Sequence, residues 1–513
     1  MSLSYLLIPL IIITLSLLAF YPAFNLSLFG DDWMTFWRYL QYLGPKSSGE
    51  WSHLSYFLTS YGPQDIIMGL LQKIYGFNSL NYQITSYILR LIASLSLYPV
   101  AWYLTKDKLA AFFAVTFFSI TAIGLETTDW VFNMPSYIAI TFLNLFFYFD
   151  LRLTREQNVR LLIPTGIFFL AAILSQPIRM HGVLPFILMM ELFWLLQNYS
   201  YGKLKQMSIR SGCLLSLFLF IFFVLSKSPV VTGGGLFTDG VRAISELINK
   251  GNTNFLLNPI ITIGSLFVPS IASTQPFLLL LGTSILIVWF LLFIKFRKNK
   301  EAKTALLFSF GWLIFSYLIA WFRSPQSILF TTHRYLIVSA VGVSLFFATI
   351  ISLGKNYKSR VILSSLVTLM ILFNIISTHK YLQNKLLSHS RDITDKIWTQ
   401  MPYIKEVGKD NKPLVFYFEG DSTNVDILHD VITFGFPPHM ALLYGITEEN
   451  RTPIPMSDFR EVVSAVTDGK SFAPYSHPLK AIAVDRVYAF QLQGKDNLIN
   501  ITDIAREKLR QLK

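Results

Sequence analysis

Several polar groups in this sequence stand at the edges of apolar stretches, where side chains could do chemistry. In "SLFGDDWMTFWRYL", Ser27 to Leu40, the adjacent carboxylates Asp31 and Asp32 follow an apolar segment and precede four aromatic side chains. Glu126 and Asp129 lie in "GLETTDWVFNMPS" (124–136). Arg179 and His181 follow Pro177 in a short break between two apolar runs, and His333 and Arg334 open a third. A carboxylate at the rim of a water-excluded cavity has a raised pKa and can take a proton from an attacking hydroxyl. Arginine beside histidine at the start of an apolar run suits a phosphate clamp, because guanidinium presents a planar fork of donors.

Each group has a plainer alternative. Asp31 and Asp32 suit the N-terminus of a helix, although a cap accounts for only one of them. Glu126 and Asp129 are also ordinary loop acids. Arg179 and His181 could reach to lipid headgroups. The "VTGGG" at 231–235 lacks the Lys-Ser/Thr of a phosphate loop and reads as a flexible connection.

The elements that must position these residues are apolar. Of 513 residues, 53% are hydrophobic and 14% charged, with a mean hydropathy of +0.49. Soluble domains carry about 25% charged residues. Runs near the ~20 residues needed to cross a bilayer recur. They fall at 4–24, 82–104, 108–125, 134–149, 159–176, 182–197, 209–226, 276–295, 304–322, 333–353 and 360–378, which makes a polytopic α-helical membrane protein of about 11 spans. A Pro-interrupted run at 258–273 reads as interfacial or re-entrant. The N-terminal run has no preceding Lys or Arg and reads as a first span, not a cleaved signal. Cys213 is the single cysteine, so no intrachain disulfide is possible.

The net charge of +13 orients spans here and does not point to nucleic acid. With the N-terminus in the cytoplasm, the short cytoplasmic loops hold 16 Lys and Arg and the longer opposite loops hold 8. Every candidate residue above then lies on the outer side of a plasma membrane, as does the C-terminus. There these residues avoid the roughly 2.5–3.5 kcal/mol cost of a charge at the bilayer centre. Two charges, Arg90 and Glu191, fall inside spans.

The first outer loop (25–81) is structured. In "GPQDIIMGLLQKIYG", Ile66, Leu70 and Ile74, and again Ile67, Leu71 and Tyr75, recur every four residues. This is one wide apolar face on a helix opened by Gly62-Pro63, closed by Gly76 and lying flat on lipid. From 385 to 513 the composition becomes that of a small extracytoplasmic α/β domain. "KPLVFYFEGD" and "DRVYAFQLQG" read as strands there, and "YIKEVGK" and "DFREVVSAV" as helices.

The order of features resembles the GT-C superfamily of membrane glycosyltransferases, over roughly residues 1–380. A first span is followed by an outer loop with an acid, here "FGDDW". The chain is similar in particular to the protein O-mannosyltransferase-like branch. "IYGFNSLNYQITSYILR" keeps that branch's Gly76, Asn78, Tyr82 and Thr85, with Gln83 and Arg90 where histidines are common. "GLETTDWVFNM" keeps Glu126 and Trp130, and "HRYLIVSAVGVSLFF" keeps Arg334, Tyr335, Leu336, Ser339 and Gly342.

The resemblance implies a polyprenyl-phosphate sugar donor entering from the outer leaflet, and a glycan, lipid or protein acceptor. Arg334, with His333, Arg179 or His181, would hold the donor phosphate. Asp31 or Asp32 would take the acceptor's proton, with inversion at the sugar. Glu126 would assist, or with Asp32 hold a divalent metal ion, and no other cofactor is implied. A transporter or flippase, a lipid-linked glycan ligase and a non-catalytic scaffold are the competing readings. The transporter reading predicts paired mid-span charges and inverted repeats. The ligase reading predicts a large late outer loop carrying the arginines.

Overall fold

The computed structural model describes residues 4–43, 61–156, 158–180, 183–197, 208, 210–217, 219, 236–268, 274–323, 325–354, 356–410, 412–421, 424, 427–467 and 481–512. His181, the Gly-rich 231–235 and half of the run at 209–226 lie outside the described residues.

Among the described residues, five helices are long and apolar enough to cross a membrane: Ser79–Thr105, Val131–Glu156, Gln275–Lys295, Arg334–Ser352 and Tyr357–His389. Five further apolar helices have 10–17 residues, among them Lys108–Ile120 and Val159–Ser175. Helix Lys300–Arg323 packs against the span that begins at Arg334. This arrangement is that of an integral membrane protein. The Pro-interrupted run folds as a ten-residue helix, Asn258–Phe267, at ~1.5 Å per residue too short to span. It crosses Gln275–Lys295 backbone to backbone. A Cβ on Gly264 would stand 2.0 Å from the Leu278 carbonyl oxygen, and one on Gly282 would stand 2.0 Å from that of Ile260. Small residues permit such contact between apolar helices.

The two charges that sequence places inside spans are both answered by partners. Arg90 is fully buried and donates to the Phe118, Ser119 and Thr121 carbonyls at the C-terminus of Lys108–Ile120. It also bonds Thr128 Oγ1 at 2.9 Å and Tyr137 Oη at 3.1 Å. A cation meeting the orphan carbonyls of a helix end satisfies both. Arg90 thereby ties that helix end to the loop carrying Glu126 and Asp129. Glu191 accepts from Arg210 and from Ser211 Oγ.

The C-terminal segment builds a four-stranded mixed sheet, order β2-β1-β3-β4: β1 Val415–Glu419, β2 Ile454–Met456, β3 Val487–Gln493 and β4 Asn497–Asn500. β1 runs parallel to β2 and β3, with Val415 opposite both Ile454 and Val487. β4 returns antiparallel to β3. Both expected strands are present, and "DFREVVSAV" is helical as Phe459–Thr467. "YIKEVGK" instead forms turns, because Gly408 takes a positive φ of 74° that a helix does not accept.

This sheet is not a detached module. Its core includes Trp37 of helix Asp31–Leu43, whose indole Nε1 donates to the Ile446 carbonyl at 2.8 Å. Gln41 donates to the Thr447 carbonyl at 3.0 Å. The segment that builds the sheet therefore holds the helix that carries Asp31.

Candidate active site

Helix Asp31–Leu43 begins after Gly30, whose φ of 53° turns the chain into it. Asp31, Thr35 and Arg38 lie at i, i+4 and i+7, so they share one helix face. Arg38 is fixed from the other side by Asp65, which accepts from its Nε and Nη2, both at 2.8 Å. Asp65 is wholly buried on helix Gly62–Tyr75, the helix expected from periodicity. That helix turns Gln64, Asp65, Met68 and Gly69 inward and leaves Leu70 and Ile74 exposed. The apolar face read from the sequence is thus divided, with Leu70 and Ile74 outward and Leu71 and Tyr75 packed against the core.

The second wall comes from loop 121–134 and the segment before Arg334. Gly124 donates to the Thr331 carbonyl at 2.7 Å, and the Glu126 amide donates to that of Thr332 at 3.0 Å. Gly124 has a φ of 66°, and a Cβ there would stand 2.6 Å from the Ile337 backbone. Gly124→Ala meets both the strain and the clash, so we expect a loss of about 1–3 kcal/mol, read as a lowered Tm of the purified protein.

These walls enclose a cavity of about 450 Å3, open mouth included. It brings together Asp31, Arg38, Gln64, Gln176, Arg179 and Arg334, between the rings of Tyr61, Phe132 and Tyr335. Arg179 donates to the Arg334 carbonyl and to Asn133 Oδ1, while its Nε has no partner among the described residues. Arg334 lies over the Trp130 ring, 4.5 Å from its centre, and reaches Glu126 Oε2 at 3.5 Å.

Burial raises the Asp31 carboxyl above the usual carboxylate range, against the pull of Arg38 and Arg334. Burial among these groups also lowers Arg179, to about 10, which leaves it cationic at neutral pH.

The other sequence candidates sit elsewhere. Asp32 is completely buried, with Oδ2 accepting from the Phe29 amide at 3.1 Å and Oδ1 from the Phe132 amide at 2.8 Å. It joins the first loop to the second and does not line the cavity. Glu126 lies behind Arg334. His333 turns Nδ1 to the Tyr335 amide at 3.3 Å, capping the turn. Burial, with Arg334 and Arg179 nearby, lowers His333 to about 4, so it is neutral at physiological pH and offers a phosphate no charge. Asp129 pairs with Lys385 at 2.7 Å. Asp32 and Glu126, the residues the resemblance offers to a metal ion, are engaged by these bonds. Among the described residues no three His, Cys, Asp or Glu side chains gather as ligands.

Arg38, Gln64 and Gln176 were not candidates on sequence. Arg38 carried a signal, its place seven residues after Asp31. The glutamines carried none, because nothing local distinguishes them from other polar residues at helix ends.

No family model and no curated protein matches the chain. Among solved structures, it is similar to the archaeal oligosaccharyltransferase AglB from Archaeoglobus fulgidus in complex with an inhibitory peptide and a dolichol-phosphate. That match has a TM-score of 0.46 and 13% identity over 88% of this chain and 64% of that one. The same enzyme tethered to an acceptor peptide matches with a TM-score of 0.43 and 15% identity, over 87% and 63%. The chain thus spans less than two thirds of these neighbours' length.

Proposed function

We propose that the chain is a membrane glycosyltransferase that moves a sugar from a polyprenyl-phosphate donor to an acceptor hydroxyl. The observation that carries this reading is the single cavity in which one carboxylate, Asp31, faces the guanidinium groups of Arg38, Arg179 and Arg334. The excess of Lys and Arg in alternate short loops supports an extracytoplasmic mouth, with the N-terminus in the cytoplasm and the sheet outside.

The reaction divides among these groups. The arginines hold the donor phosphate and stabilise the charge that develops on it as its bond to the anomeric carbon breaks. Arg334 keeps its place through Glu126 and the Trp130 ring, and Arg38 through Asp65. A phosphate leaves as a stable anion, so no general acid is required. The acceptor oxygen bonds the anomeric carbon from the opposite side, which inverts the centre. Its proton passes to Asp31, whose raised pKa makes it a stronger base than an exposed aspartate.

The test uses the purified full-length protein in liposomes with radiolabelled polyprenyl-phosphate mannose, glucose or galactose and a cell-envelope extract as acceptor source. Label should leave one of these donors for an acceptor, at least tenfold faster than with Arg179→Met. If the wild-type protein consumes none of them, or Arg179→Met keeps pace, the reading is wrong.

A further inference from the structure

Two glutamines at the cavity wall carry hydrogen-bonding capacity that no described residue uses. Gln64 and Gln176 are 1% and 0% exposed. The Gln176 Nε2 donates to Gln64 Oε1 at 2.7 Å. Gln64 Nε2 and Gln176 Oε1 are buried at the cavity and have no partner among the described residues. Exchanging N and O in both amides leaves the same result. A pair joined by one N–H···O bond always leaves one amide nitrogen and one carbonyl oxygen open. Most buried polar groups in proteins are satisfied, because an orphaned donor or acceptor costs about 1–3 kcal/mol. A bound ligand that completes both groups recovers that cost.

The surroundings identify the ligand's chemistry. Gln64 precedes Asp65, the anchor of Arg38, and Gln176 lies three residues before Arg179. One amide is therefore next to the anchor of Arg38, and the other is close along the chain to Arg179. The pair's open carbonyl oxygen needs a donor, which an ionised phosphate or carboxylate does not offer. One donor beside one acceptor matches a pair of neighbouring hydroxyls, each of which can both give and accept.

The geometry points to Gln64 and Gln176 as the subsite that recognises two hydroxyls of the donor sugar and sets which sugar is transferred. This rests on the glycosyltransferase reading above. A sugar bonded to a phosphate held by Arg38 and Arg179 shares the cavity that the pair lines. Gln64→Met and Gln176→Met keep length and volume while removing the amide, and each leaves its partner's amide exposed to the cavity.

The experiment compares polyprenyl-phosphate mannose, glucose and galactose with their 2-, 3-, 4- and 6-deoxy forms, for the full-length wild type and both Met variants. Wild type should prefer its best sugar over at least one deoxy form by about tenfold or more in kcat/KM. Each Met variant should lose that preference, its ratio falling towards one. A Gln64→Met/Gln176→Met double variant should lose no more discrimination than either single one. If the Met variants are folded by thermal melting and keep the wild-type ratio, the pair is structural and the inference is overturned. The same holds if wild type shows no preference. If a Met variant does not fold, Gln64→Glu and Gln176→Glu keep the volume and convert the pair to acceptors only, and the same ratio decides. No transfer of any donor by wild type instead overturns the parent reading and this one with it.

Discussion

Asp31→Asn lowers kcat about a hundredfold to ten-thousandfold, and Asp32→Asn does not reproduce that loss. The amide cannot take a proton from an attacking hydroxyl, and general-base removal costs roughly that range. Asp31 lines the cavity and, among the described residues, no hydrogen bond engages its carboxylate. Asp32 has both oxygens committed to backbone amides. In Asp32→Asn an NH2 group must face one of those donors, which costs about 1–3 kcal/mol of stability. Its activity should follow the folded fraction, with kcat per folded molecule largely kept.

The pH profile separates the two aspartates further. Burial raises the Asp31 pKa, and the base works only when deprotonated. In wild type kcat/KM therefore rises with pH and levels off above that raised pKa, higher than the ordinary carboxylate range near 4. Arg38 pulls the pKa down, so Arg38→Met should move the acid limb to higher pH. The limb should vanish in the residual activity of Asp31→Asn and persist in Asp32→Asn. An acid limb unchanged in Asp31→Asn would assign the base to another group.

What the sequence could show of this site follows from how local each signal is. Apolar runs, the periodicity of Gly62–Tyr75 and two of the strands are properties of short segments. The helix and both strands are present, and among the described residues five helices reach spanning length where the sequence reads about eleven spans. Asp31, Arg179 and Arg334 stand out because charge beside an apolar run is costly and therefore conspicuous. The division of labour between Asp31 and Asp32 is invisible in the sequence, because it depends on the Phe132 amide a hundred positions away. His333 shows the same limit. Its type and place suit a phosphate clamp, but only tertiary burial reveals that it is neutral and turned to a cap. Gln64 and Gln176 are 112 positions apart and acquire meaning only when one bonds the other. The turn at 403–409 misleads for a different reason, because the pattern is helical until Gly408 takes its positive φ.

Lys385→Met should be among the most destabilising single changes, although Lys385 touches no part of the cavity. Its ammonium meets Asp129 Oδ2 at 2.7 Å and sits 4.6 Å from the centre of the Phe29 ring. Asp129 is completely buried, and its Oδ1 has no partner among the described residues. Removing one member of a buried ion pair leaves the other uncompensated, at about 3–5 kcal/mol. Burial already raises the Asp129 carboxyl, and Lys385 is the chief group opposing that rise. The Met variant should therefore bind a proton at Asp129 on folding. Its stability deficit grows as pH rises above the unfolded carboxylate value and shrinks in acid. Asp129→Asn/Lys385→Met removes both charges and should recover part of the loss, which a thermal-melting cycle of the four proteins measures. If the double variant is as unstable as the sum of the singles, the pair is not coupled. The consequence for function is positional. Asp129 belongs to the loop that presents Glu126 to Arg334, and Lys385 extends the last apolar helix to that loop. The helix that precedes the C-terminal sheet thus also fixes the wall that holds the donor phosphate in the proposed reaction.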